Sequence, residues 1–186
     1  MNQYREYIKD LAKNDKNVVF YNSGPEHAAL VMATIFKNAK DTVRIFAGNF
    51  SGEISSQPEY RSTLESFLGK GGKLKVLLEK EKLDDGNEPK LFDILRFYSI
   101  INHKNIELRK RAQKVYRVDE TKENDSHEVH FTVADDKMYR VEDDTKLFTA
   151  FGNFNDPEAA KHLISIFDDI FIDKNKSEPI HLILKK

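Results

Sequence analysis

The chain has no cysteine and no tryptophan among its 186 residues. The first absence excludes disulfides, thiolate nucleophiles and cysteine-based zinc sites, and it fits a reducing cytoplasm. Long apolar runs are missing too, none approaching the roughly 20 residues that span a bilayer, so no membrane partner is expected. The opening Met1-Asn2-Gln3-Tyr4-Arg5-Glu6 lacks the apolar centre of a secretory signal. Neither charge is in excess: 30 Lys and Arg stand against 31 Asp and Glu, for a net charge of −1. No global field therefore draws the protein onto nucleic acid, which leaves only a local basic groove for that purpose. A phosphate-cradling glycine loop, a dinucleotide fingerprint, a His-Glu-x-x-His helix and a calcium loop are all absent. Neither a metal nor a cofactor is expected.

What is present has the size of one domain, taken as 1–186 with a single core. Thirteen Phe and seven Tyr make that core aromatic-rich. Tyr4, Tyr7, Ile8 and Leu11 have helical spacing, which predicts an amphipathic helix within residues 1–16. Strands are predicted at 18–21, 42–47, 73–79 and 106–109, with helices at 26–39, from Pro58 to about residue 68, and at 89–101. Ser23 is a candidate cap for the first of these helices, with Pro25 in its first turn. Residues 119–127, charged and without a large apolar side chain, read as an exposed loop, and 113–118 as a further strand. Strands at 129–134, 138–142 and 147–151 follow, with Asp135-Asp136-Lys137 as a turn. A helix at 156–169, capped by Asn155 or Asp156, and an edge strand at 180–184 complete the reading. The early alternation of strand and helix suggests parallel strands, and the later strand-rich half antiparallel additions. The expected fold is α/β: a mixed, largely parallel central sheet with helices on both faces.

The chemistry concentrates between His127 and Asn155. Glu128-Val129-His130 is followed after four residues by Asp135, and a later strand ends in Gly152-Asn153-Phe154-Asn155. This order resembles the phospholipase D-like family, whose enzymes carry His-x-Lys, four residues, then Asp, and a downstream Gly-Ser or Gly-Asn with a further Asn. The resemblance covers most of residues 18–172 and implies a phosphodiesterase or nuclease architecture. In that family the His attacks phosphorus and the Lys holds the phosphate oxygens. Here Glu128 takes the place of the His and His130 that of the Lys, and no register restores both. A glutamate repels a phosphodiester, and histidine supplies less positive charge than lysine. The motif is degenerate by this reading, so the resemblance implies a binding or scaffolding module for a phosphate-bearing ligand or a protein partner. The alternative is a divergent, metal-independent phosphodiesterase using His130.

The residues in the candidate site are His130, Glu128, Asn153 and Asp135 for chemistry, and Asn155, Asn49 and Ser51 for ligand binding. Each has an ordinary structural reading beside it: a hydrogen-bonded strand histidine, helix caps, turns. Glu128 and His130 share a strand face and can pair, whereas His127 and His130 cannot share one. Gly48-Asn49-Phe50 echoes Gly152-Asn153-Phe154 without a motif before it. One motif block, where the family joins two, implies a two-fold homodimer, with nucleic acid or another phosphodiester as ligand. The hollow shared by His130 and Asn153 is the spatial expectation on which this site rests.

Overall fold

The computed structural model describes residues 1–50, 52–82, 86–101, 104–112 and 130–182. Its elements run α1 (Asn2–Lys13), β1 (Phe20–Asn22), α2 (Pro25–Asn38), β2 (Thr42–Ala47), α3 (Pro58–Gly69), β3 (Lys73–Leu78) and α4 (Leu91–Ile101). They continue with β4 (Ile106–Arg111), β5 (Phe131–Ala134), β6 (Met138–Asp144), β7 (Thr149–Asn153), α5 (Pro157–Phe171) and β8 (Ser177–Pro179). The strand expected at 113–118 and the loop at 119–127 lie outside the described residues.

The strands form one mixed sheet in the order β1-β7-β6-β5-β2-β3-β4-β8. Helices cover both faces. Ile8 of α1, Ile35 of α2, Leu64 of α3 and Leu95 of α4 pack against Val43, Val76 and Met138 on one face. The other face carries α5, with Ala160, Phe167 and Phe171 against Phe46, Leu77 and Val133. The balance of the sheet differs from the expected one. Among the described residues only β2–β3 and β3–β4 are parallel, and the remaining pairings are antiparallel. The cause is β1, which runs in the same direction as β2 but pairs with β7 at the far edge, with β7, β6 and β5 between them. The α2 connection thus crosses three strands.

Local differences have local causes. Ser23 makes no cap: Gly24, at φ +82, precedes Pro25 at the start of α2. Leu147 and Phe148 form a turn rather than a strand, because the Asp144 carboxylate accepts the N–H groups of Lys146 and Leu147 and Phe148 sits at φ +53. β7 starts after them, and a bulge lies between Glu142 and Asp144. The edge strand expected at 180–184 is not formed at 180–182, and 183–184 lie outside the described residues; instead Ser177–Pro179 pairs with β4, its proline tolerated at the sheet edge. The cap expected at 155–156 is Asp156, which accepts from the Ala159 N–H at 3.1 Å.

Candidate functional site

The tight Asp135-Asp136-Lys137 turn sets Ala134 opposite Met138, so His130 stands level with Glu142 and Thr132 pairs with Arg140. Directly opposed residues point to the same face. His130, Thr132, Arg140 and Glu142 therefore make a polar group on the face that carries α1 to α4. That group floors a cavity of about 360 Å³ at the carboxyl ends of β2 and β6. Ligands in open α/β sheets commonly sit at such strand ends. The walls come from Gly48, Asn49 and Phe50 after β2, Tyr60 of α3, Met32 of α2 and Phe148 before β7. The rim is tied together where Ala47 accepts from the Glu79 N–H and Gly48 from the Lys80 N–H, both at 3.0 Å.

Arg140 is the best-anchored group in this cavity and is only 4% exposed. Its Nε donates to Asn22 Oδ1 at 2.9 Å and its Nη1 to Glu142 Oε1 at 2.9 Å. Its Nη2 is buried and, among the described residues, meets no hydrogen-bond acceptor. An unsatisfied buried donor costs about 1–3 kcal/mol, more when charged, so its persistence calls for a ligand or a function. The other Glu142 oxygen, Oε2, lies 3.4 Å from His130 Nδ1. Burial pushes the Glu142 carboxyl up, but the His130 hydrogen bond and the charge and hydrogen bond of Arg140 outweigh it and hold the group below its ordinary value. Glu142 is thus a carboxylate that orients the imidazole and partly neutralises the guanidinium. The His130 ring packs edge-on against Phe46, and a Cβ at Gly48 would come within 3.3 Å of His130 Cε1. Burial also raises the Tyr60 phenol, with Arg140's charge opposing, so Tyr60 keeps its O–H as a neutral donor at the cavity wall.

The residues named from sequence fall into three places. His130 and Asn49 line the cavity. Asn153 and His130 do not share it: Asn153 pairs with Tyr139, three residues along β7 from the Ala150 that faces Glu142. At about 3.3 Å per residue that is roughly 10 Å along the strand, and two strands across. Asn153 donates to Asn17 Oδ1 at 2.7 Å and accepts from the Asn155 N–H, while Asn155 donates to the Asp15 carbonyl at 2.7 Å. These amides fasten the segment before β1. Asp135 accepts the N–H groups of Lys40, Asp41 and Thr42 at 2.9 to 3.1 Å, which fixes the entry to β2. Glu128 and Ser51 lie outside the described residues. Arg140 and Glu142, absent from the sequence reading, are the charged centre of the cavity. Among the described residues no group of three His, Asp or Glu side chains is placed to hold a metal ion, and no helix is long and apolar enough to cross a membrane.

No protein-family model matches the sequence, and no curated protein matches it. Solved structures do. Nuc from Salmonella typhimurium, a phospholipase D family member, superposes with a TM-score of 0.57 at 16% identity, over 89% of this chain and 99% of that one. NucT from Helicobacter pylori gives 0.60 at 13% identity, over 89% of this chain and all of the other. TrmBL2, an archaeal chromatin protein described as showing a novel mode of DNA binding, gives 0.60 at 14% identity, over 96% of this chain and 63% of that one. These are likenesses of fold.

Proposed function

We propose that this chain, which has the phospholipase D-like fold, is a module that binds a phosphate-bearing ligand rather than hydrolysing one through a histidine–lysine pair. The observation that carries this reading is the buried Arg140, whose Nη2 meets no acceptor among the described residues, beside a cavity that also contains His130. Guanidinium groups suit phosphate oxygens, which accept their hydrogen bonds in plane. The motif supports the absence of the usual chemistry, since the positions of the attacking His and its Lys hold Glu128 and His130. Nucleic acid is a candidate source of the phosphate, in keeping with the DNA-binding description of the chromatin protein of similar fold. A two-fold homodimer belongs to the same proposal, because a single motif block is present. Sedimentation that gives only monomer at working concentration would remove that part.

The test is calorimetric titration with inorganic phosphate and with a short 5′-phosphorylated single-stranded DNA. Binding lost in Arg140→Met, with no turnover of bis-p-nitrophenyl phosphate, supports the module. Turnover abolished by His130→Ala overturns it.

That outcome would favour a second reading, a metal-independent phosphodiesterase. It draws on the Glu142–His130 pair, in which a carboxylate orients an imidazole as in activated nucleophiles. Trapping a phosphohistidine during turnover separates the two readings.

A further inference from the structure

Two phenylalanines at the cavity wall have backbone conformations that bulky side chains avoid. Phe50 sits at φ +56 and Phe148 at φ +53. They come from separate loops, one after β2 and one before β7, yet both line the same cavity and both are half-buried. Left-handed backbone at a bulky residue is strained, and it persists only where the surroundings over-determine it. Each is held in the same way. The Phe50 carbonyl accepts from the Ser55 hydroxyl at 3.2 Å, and Ser55 is buried. The Phe148 carbonyl accepts from the Asn22 amide at 2.8 Å, and Asn22 is the residue that also fixes Arg140. Buried polar side chains thus brace two strained loops that line the same cavity as Arg140. Ile54, Met32 and Tyr60 add further apolar or aromatic lining to a cavity that also holds His130, Thr132 and Arg140. A cavity near 360 Å³ lies at the small end of ligand sites, which suits a compact molecule rather than a threaded strand.

We infer that the cavity is divided: Arg140 and His130 receive a phosphate, and Phe50 and Phe148 receive a flat aromatic group attached to it. The ligand class is an aryl-bearing phosphate ester of single-nucleotide size, such as a nucleoside monophosphate, free or at the end of a nucleic-acid strand. The inference rests on the phosphate-binding reading above and adds the aromatic half.

Titration of the full chain with inorganic phosphate, ethyl phosphate, phenyl phosphate and thymidine 5′-monophosphate tests it. Phenyl phosphate and the nucleotide are expected to bind at least about tenfold more tightly than ethyl phosphate, the equivalent of about 1.4 kcal/mol. In Phe50→Asn and Phe148→Asn, where asparagine accepts the left-handed backbone, that ratio is expected to collapse toward one. Equal affinity for phenyl and ethyl phosphate in the unaltered protein overturns the inference while leaving the phosphate reading intact, and this comparison needs no variant to fold. A preference that survives both substitutions also overturns it. Failure of every phosphate compound to bind removes the underlying reading instead. A 5′-phosphorylated oligonucleotide that binds more tightly than the free nucleotide identifies a strand end as the source, and the reverse identifies the free nucleotide.

Discussion

Glu142→Gln is expected to weaken the protein and strengthen its hold on anions at once. The carboxylate lies 2.9 Å from Arg140 Nη1 and 3.4 Å from His130 Nδ1, with side-chain exposures of 5% for Arg140 and 12% for Glu142. At an effective dielectric near 20, a unit pair at 2.9 Å attracts by about 6 kcal/mol before desolvation is subtracted. Removing one partner of a buried pair costs about 3–5 kcal/mol, because the other charge is left uncompensated. Glutamine still offers Arg140 a carbonyl oxygen, so the lower end applies, about 3 kcal/mol. For a chain of this length that lowers Tm by about 6–12 °C. The same substitution removes a negative charge next to the anion-binding guanidinium. Phosphate affinity should therefore rise by about 10- to 100-fold, on the order expected for a like charge about 6 Å away in that dielectric. Thermal unfolding with and without phosphate reads both effects, and phosphate should restore more of Tm in the variant than in the unaltered protein. An unchanged Tm together with an unchanged phosphate affinity would refute the assignment of Glu142 as Arg140's counter-charge.

Other outcomes follow from the same contacts. Because the folded Glu142 carboxyl lies below its unfolded value, its contribution is present above the ordinary glutamate range near 4.3 and is lost as pH falls through the lower folded value. Acid titration of stability should lose part of its slope below about pH 4 in Glu142→Gln. Gly152→Ala places a Cβ against the Tyr139 carbonyl oxygen and within 2.6 Å of Phe20 Cζ; a loss above about 3 kcal/mol is expected by urea unfolding, and a loss below 1 would show that β7 can move. Asp135→Ala leaves three N–H groups of residues 40–42 without their acceptor, which should cost about 2–4 kcal/mol without changing phosphate affinity. Asn153→Ala, which releases Asn17, should cost about 1–2 kcal/mol, again with binding unchanged, and a binding defect would return Asn153 to the site.

Much of the fold is legible in the sequence because apolar period and turn chemistry agree along most of the chain. Tyr4, Tyr7, Ile8 and Leu11 mark α1, and Pro25, Pro58 and Pro157 each open a helix. The errors fall where tertiary pairing overrides local preference. Leu147 and Phe148 are good strand formers, but Asp144 takes the N–H groups a ladder would need. Ser177–Pro179 is a poor strand, yet β4 offers it an edge. The site divides in the same way. His130 stands out as an imidazole among apolar neighbours. Arg140 and Glu142 look like the wet side of a hairpin, because alternation in β6 puts Tyr139 and Val141 on the other face. Helices on both faces are expected for the sheet as a whole, but that the Arg140 and Glu142 face of β6 is one of the covered faces cannot be read from one strand. The register itself was accessible, since a turn at 135–137 already sets His130 against Glu142.

Asn22 gives the cavity a second end. It lies on β1, the outermost strand, and bonds both Arg140 and the Phe148 carbonyl across 118 and 126 residues of sequence. A three-residue border strand is the sort of element that detaches first in sub-global opening. Each detachment would loosen the guanidinium and a ring together, so occupancy of the hollow and closure of this border are one thermodynamically linked event. Amide exchange at Tyr21 and Asn22 should slow when phosphate is added, which makes the rim of the sheet a reporter for what happens at its middle.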